Sequence, residues 1–295
     1  MYPLKGGEVM DRFPPACPLD GDEACTALLS FFLGLPLTDT EAVFACFSSL
    51  PNAVEGRGER PMEHYLYVPG EREDRILLVA HADTVWDTRY GVAPLDPHGV
   101  KLTEKVFHSA DPRQGIGADD RAGCAMLWAL RESGHSLLLL DGEEKGKIGA
   151  RFLRDRAGDL FREINTTHRM MIALDAPGTH TCIFDQVDYT PAFRSYVENR
   201  LEVRQGKLSG GSDLQVLCHR ICGVNYGVGY LNQHTAYETL PVRGWIDAYR
   251  KLTDFLEESH PRFPISKTSR AKRKLKALLR LPRRLCGKLK RILRG

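Results

Sequence analysis

The sequence predicts an α/β fold whose central sheet is covered on both faces, and three observations lead there. Runs such as ILLVA, SLLLL and MMIAL are apolar throughout rather than alternating, as strands buried on both faces are. Amphipathic helical patterns separate these runs, so the order reads strand, helix, strand. The chemically interesting residues stand directly after the runs, at the carboxyl ends of strands, where open α/β sheets place their ligands.

Residues 1–60 read as helical segments joined by loops, with DEACTALLSFFLGL and TDTEAVFACFSSL as helices. HYLYVPG and DRILLVA predict two strands, and RAGCAMLWALRES a helix. SLLLL predicts a strand, IGARFLRDRAGDLF one helix and RMMIALD a further strand. SDLQVLCHR predicts a helix, ICGVNYGVGYL a strand, and PVRGWIDAYRKLTDFLEESH a long closing helix. No internal repeat is visible. The prolines of HPRFPIS (260–266) end that helix where the acids stop, dividing the chain into a domain, 1–260, and a tail, 261–295.

Charge sharpens this division. The 295 residues carry a net charge of +3, but residues 261–295 hold 14 of the 41 basic residues and no acid. The other 260 residues have 27 basic against 38 acidic, a balance of −11. No window approaches 18 consecutive apolar residues, so no membrane span is expected. MYPLKGGEVMDRF lacks the form of a signal peptide, and ALLSFFLGLPL is short and preceded by acids. The eight cysteines, at 17, 25, 46, 124, 182, 218, 222 and 286, follow no framework spacing and suit the reduced thiols of a cytoplasmic protein. Cys218 and Cys222, with His219 between them, read as a packed helix face, since no second pair stands at zinc-finger spacing.

Glu143 and Glu144 end SLLLLDGEE, and taken alone they read as a solvated turn. Three other strands also run into such residues: ILLVA into HADTVWD, MMIAL into DAPG, and GVGYL into NQHT. Four clusters of this kind point to one site, because buried strand ends otherwise disfavour charge. Histidine and carboxylates without thiolates suit borderline divalent metals such as zinc, cobalt or manganese.

HADTVWD, GIGADDRAG, LDGEEKGKIGA, ALDAPG, GGSD and QHTAYETL, in this order over roughly residues 60–258, resemble the dinuclear zinc exopeptidases and amidohydrolases. That superfamily includes zinc aminopeptidases, tripeptidases and N-acyl-amino-acid deacylases. The resemblance implies a three-layer αβα fold with a mixed, mostly parallel central sheet, and two divalent ions, zinc before cobalt or manganese. It places His81 and Asp175 on one metal, Glu144 and His234 on the other, and Asp119 between them. Asp83 would accept the second imidazole N–H of His81 and fix its tautomer. Glu143 would be the general base. A cis bond is expected at Asp119–Asp120, with Asp120 and Arg121 otherwise ordinary first-turn helix residues. Gly210, Gly211, Ser212 and Asp213 match a loop near substrate; the alternative is a turn with Ser212 or Asp213 capping the next helix. Glu238 matches a structural position, whereas His98, His108 and His180 follow no apolar run and read as surface or loop residues.

One departure from the family bears on substrate. Lidded relatives insert a separate domain between the Asp and the final His, but here only 58 residues separate Asp175 from His234. The expectation is a lidless, single-domain form with an open site, partly shaped by residues 86–116. Loss of the lid's carboxylate-binding residues tells against carboxypeptidase or dipeptidase activity.

In the tail, Leu275, Leu278, Leu279, Leu285, Leu289, Ile292 and Leu293 recur at helical spacing among Lys and Arg, with Pro282 dividing two short helices. Residues 267–295 therefore suit an anionic membrane surface. Nucleic acid is a weaker fit, because 264–295 hold no aromatic residue to stack on bases. The remaining alternative is a tail that folds on the acidic body. Together these features predict a cytoplasmic metal-dependent hydrolase, peripheral at membranes if the tail engages lipid, with an aminopeptidase acting on small peptides as the leading expectation. The alternatives are a deacylase of N-acyl amino acids and an inactive, tail-directed binding protein; the intact ligand set tells against the latter.

Overall fold

The computed structural model describes residues 21–87, 99–184, 187–206 and 211–265. From edge to edge, its central sheet runs Val54–Arg57 (β1), His64–Val68 (β2), Ser136–Leu140 (β6), Leu77–His81 (β3), Met171–Ala176 (β7), Gly223–Gly227 (β10), Thr181–Ile183 (β8) and Arg204–Gln205 (β9). β6, β3, β7 and β10 are parallel; β1, β2 and β8 pair antiparallel with their inner neighbours, and β9 lies parallel to β8. The mixed, centrally parallel sheet follows the predicted class. Every residue of β2, β3, β6, β7 and β10 is buried, their polar members His64, His81, Ser136, Asp175 and Asn225 included.

Helices Asp22–Gly34 (α1), Glu41–Ser48 (α2), Ala118–Ala129 (α3), Ile148–Arg156 (α4), Gly158–Thr167 (α5), Pro191–Arg200 (α6), Leu214–Leu217 (α7) and Val242–Glu257 (α8) cover the sheet. α3 packs on β3 and β7, with α1 against it. The buried Trp245 of α8 donates its indole N–H to Ala122 O of α3 at 3.0 Å. α4, α5 and α7 form a second packed group, α4 against β2 and α7 against β10. Among the described residues no helix is long and apolar enough to cross a membrane.

Several elements differ from expectation. The single helix predicted over IGARFLRDRAGDLF breaks at Ala157, whose backbone (φ −115°, ψ 52°) separates α4 from α5. The helix predicted over SDLQVLCHR stops after four residues. There Asn165 Oδ1 accepts the N–H groups of His219 and Arg220, at 2.9 and 2.8 Å, and draws the chain out of the helix. A small antiparallel sheet of Val100–Thr103 (β4), Val106–Ser109 (β5) and Thr239–Pro241 (β11) was not foreseen, nor was α6, whose Thr190 cap accepts from Phe193 N. Cys218 and Cys222 are buried core thiols, Cys218 Sγ lying 3.8 Å from Met171 Sδ. Beyond α8 the chain stays against the body through Ile265, which donates to Arg220 O. The basic segment 267–295 lies outside the described residues.

Two histidines are held neutral by burial. His135 Nδ1 accepts the Ile76 N–H at 3.0 Å while Nε2 donates to Leu256 O at 2.9 Å. His168 Nδ1 donates to Ile164 O, and its Nε2 meets Ser136 Oγ at 2.8 Å. Burial pushes their pKa values down, to about 4 and about 3, from an ordinary 6.5. The unfolded chain therefore binds more protons below pH 6.5, and stability present above that pH is lost as pH falls toward the folded values. Each histidine should remove roughly 1.4 kcal/mol per pH unit in that window. Urea denaturation at pH 7 and pH 5 should show the loss, and a His135→Gln, His168→Gln double variant should show a smaller difference between the two pH values.

Candidate active site

β3 lies between β6 and β7, to which the chain travels in turn, so its carboxyl end is a switch point of the sheet. His81 closes β3, Glu143 and Glu144 follow β6, Asp175 lies near the end of β7, and His234 sits in the loop after β10. Asp119 enters from the start of α3, where the Asp119–Asp120 bond is cis, as the resemblance implied. Residues scattered over 150 positions thus meet at one end of the sheet.

Asp119 stands between two groups. Its Oδ1 is 3.2 Å from His81 Nε2, which also lies 3.5 Å from Asp175 Oδ1. Its Oδ2 is 3.0 Å from His234 Nε2, which lies 2.9 Å from Glu144 Oε1. Asp119 Oδ1 and Glu144 Oε1 are buried, yet neither receives an aligned hydrogen bond despite the nearby imidazole nitrogens. Ligands at 2.0–2.2 Å from one tetrahedral cation would stand roughly 3.3 Å apart, close to these spacings. Metal-competent donor groups form around His81 with Asp119 and Glu144, and around His81 with Asp120 and Asp175. Within the second group, the Asp120 oxygens are already engaged by His81 N at 3.1 Å and Gly123 N at 3.0 Å. Asp120 is thus a buried anchor for the His81 backbone, more than the first-turn helix residue expected.

The protonation balance follows from this crowding. Burial opposes the charge on Asp119, but the His234 and His81 imidazoles hold its carboxyl well below the usual range. Asp119 and Glu144 together raise His234 to about 10. Burial lifts Glu144 to about 7 against the pull of His234. Burial also pushes Glu143 well up, opposed by His81 and Lys147. Asp175 is raised by burial and by Asp119.

Backbone amides fix the surrounding carboxylates. The fully buried Asp83 accepts the N–H groups of Glu143 and Glu144 on its two oxygens, both at 3.1 Å. The His81 tautomer is set differently from expectation: Nδ1 is 3.0 Å from the Asp83 backbone carbonyl and 3.4 Å from its carboxylate. Nε2 is thereby left facing Asp119 and Asp175. Glu238, buried and structural as expected, accepts from Gly117 N at 2.7 Å and Asp119 N at 3.0 Å; burial lifts its pKa to about 8. Arg121, fully buried, donates to Pro36 O and Asp39 O and ties the α1–α2 connection beneath the site.

Sequence reasoning missed three contributors. Lys147 Nζ lies 3.0 Å from Glu143 Oε1, a pairing legible as an i,i+4 spacing. Asn225 exchanges hydrogen bonds with the Asp175 backbone, and Tyr230 donates to Asp175 Oδ1 at 3.2 Å; no local pattern announces either. Ser212 and Asp213 are buried beside the site, and Asp213 makes no side-chain cap to α7. Gly211 is half-buried, while Gly210 and His98 lie outside the described residues. His108 is bonded within the small sheet, to Ser109 O and Thr103 Oγ1, and His180 is exposed.

Solved structures share this fold. An aminopeptidase PepT from Bacillus cereus matches with a TM-score of 0.59 at 14% identity, covering 80% of this chain and 98% of its own. A Staphylococcus aureus tripeptidase matches at 0.60 and 13% identity, over 81% and 98%. The TET1 peptidase of Pyrococcus horikoshii, described as assembling into a tetrahedron or a large octahedral shell, matches at 0.53 and 16% identity, over 79% and 98%. No family model matches the chain, and no curated protein matches it in sequence. At these identities, what the chain shares with the solved structures is their fold.

Glu238→Ala should leave the N–H groups of Gly117 and Asp119 buried without acceptors, lowering stability by about 2–4 kcal/mol. Glu238→Gln keeps one acceptor oxygen and should cost less. Urea midpoints of the two variants check that order.

Proposed function

We propose that the chain is a metal-dependent hydrolase of amide bonds, an aminopeptidase acting on small peptides. The observation that carries this reading is the position of Asp119, whose two oxygens face separate histidine–carboxylate pairs while Glu143 stands beside them, outside both. In this reading His81, Asp175 and Asp119 hold one divalent cation, and His234, Glu144 and Asp119 hold a second. The buried oxygens of Asp119 and Glu144, lacking aligned donors, fit that role, and the nitrogen and oxygen donor set suits zinc before cobalt or manganese. The peptidases that share the fold support the reaction class.

When bound, the two ions would polarise the scissile carbonyl and acidify the attacking water. Glu143 takes a proton from that water on a carboxylate oxygen and returns it to the amide nitrogen, which departs as the amine. Asp83 separates the paired glutamates by gripping both of their amides: Glu144 turns toward His234, and Glu143 is left with Lys147 at its Oε1. Nδ1 of His81, committed to the Asp83 carbonyl, keeps Nε2 aimed at Asp119 and Asp175. Among the described residues, the stretch between Asp175 and His234 holds only short elements of the sheet and its covering helices, which suits an open site.

The test is a panel of aminoacyl-anilides and N-acyl amino acids on zinc-loaded protein, with metal content measured in parallel. Free-amine substrates should be cleaved; cleavage of N-acyl amino acids alone would make the chain a deacylase. Glu143→Gln should retain two zinc equivalents and lose turnover by about three orders of magnitude or more. Glu144→Gln should bind the second equivalent about 10-fold or more weakly, read by equilibrium dialysis. Two fully bound metals and full activity in both variants would reduce the paired glutamates to a solvated turn.

A further inference from the structure

We propose that the amino-terminal end of the central sheet is a docking surface for an anionic membrane, which holds the docked protein with its acidic centre facing away from the lipid. The proposal is independent of the hydrolase reading and starts from arginines of the body that no sequence pattern singled out. β3, β6, β7 and β10 begin level with one another: Leu77 is in register with Ser136 and Met171, and Met171 with Gly223. Arg75, Arg169 and Arg220 stand two or three residues before three of these starts. The main chain ties them into a row. Arg169 N donates to Arg75 O at 3.0 Å, Phe263 N to Arg169 O at 3.1 Å and Ile265 N to Arg220 O at 2.9 Å, which brings Arg262 to the same edge.

The row carries charge that the body does not neutralise. Among the described residues no carboxylate forms an ion pair with Arg75, Arg169, Arg220 or Arg262. Arg75 donates to Arg72 O, and Arg262 to Asn165 O and His168 O; carbonyls satisfy donors without cancelling a charge. The Nε atoms of Arg75 and Arg169 are buried with no acceptor. Acids at this end are committed elsewhere, Asp74 to Arg72 and Glu258 to Arg200. Arg75 and Glu163 both act on the Tyr67 hydroxyl but form no ion pair with each other. Arg220 and Arg262 are exposed, and a guanidinium keeps its charge at any physiological pH.

The chain beside the row identifies the partner as lipid. It reaches Ile265 at this edge, and residues 266–295 follow at once with 13 of the 14 basic residues of 261–295 and no acid. Leucines at helical spacing among those charges suit a lipid surface, whereas the segment brings no aromatic residue to stack on bases. Row and segment have the same sign, so folding back onto this end is opposed and the two act as one basic surface. The other end of the strands has the opposite character. His81 lies six residues beyond Arg75, about 20 Å along an extended chain. Asp119, Glu144 and Asp175 gather there. An anionic leaflet attracts the first end and repels the second, which sets the orientation.

The experiment uses the full-length chain, sedimented with vesicles of phosphatidylcholine alone or with about one third phosphatidylserine. Wild type should bind the anionic vesicles only, and added salt should release it. Arg169→Gln, Arg220→Gln should bind them about 30-fold more weakly, as the loss of two surface charges implies. Lys101→Gln, Lys105→Gln removes equal charge from the small sheet, whose β11 follows the His234 loop, and should change binding by less than about twofold. If the double variant misfolds by circular dichroism, the exposed Arg220→Gln alone should still lose about fivefold. Wild-type binding to the row variants' vesicles at full strength would assign all lipid contact to residues 266–295 and overturn the docking face. Equal losses in the row and small-sheet variants would overturn the orientation, and wild type that binds a single-stranded oligonucleotide but no vesicle would overturn the choice of lipid.

Discussion

The crowding of acidic side chains at the ends of β3, β6 and β7 and at the start of α3 is the constraint to which the rest of the structure answers. A carboxylate buried without compensation costs several kcal/mol, so each must find a donor or a cation. Two solutions are used. Asp83, Asp120 and Glu238 are matched with main-chain amides, which hold charge without adding any. Asp119 and Glu144 are matched only with imidazole nitrogens that approach closely without donating well. The first set fixes shape; the second leaves positive charge wanting in a defined place. On the proposed function, that division separates scaffold from chemistry.

Most of this arrangement could be read from the sequence because strand and site signals coincide. The inner strands are apolar on both faces, so their runs are unbroken, and a charge just past the end of such a run stands out. The edge strands β1, β8 and β9, and the small sheet built on β4, were not legible, because they are two to four residues long and only partly buried. α7 illustrates another limit. Its sequence favours a longer helix, but Asn165, some fifty positions earlier, takes the amides that would have continued it.

Partners around the site were harder to foresee than the site itself. His, Asp and Glu after a strand announce themselves by type, whereas Asn225 reaches Asp175 only because β10 lies beside β7 in a particular register. The same holds for Asp83, where sequence suggested that its carboxylate would orient His81. The structure gives that contact chiefly to the backbone carbonyl and turns the carboxylate toward the paired glutamates. Residue type sets what a side chain can do, and register decides which neighbour receives it.

The buried Trp245 has a consequence for how the protein is made. Its bond to Ala122 joins the last helix to the one that carries Asp119, while Arg250 of the same helix pairs with Asp22 of the first. The acidic cluster is therefore closed by elements more than a hundred residues apart. A nascent chain that has delivered every strand of the main sheet still lacks α8, and with it the contact that holds α3 from its outer side. A ribosome stalled before Val242 would therefore hold the sheet's strands without the helix that locks the bearer of Asp119.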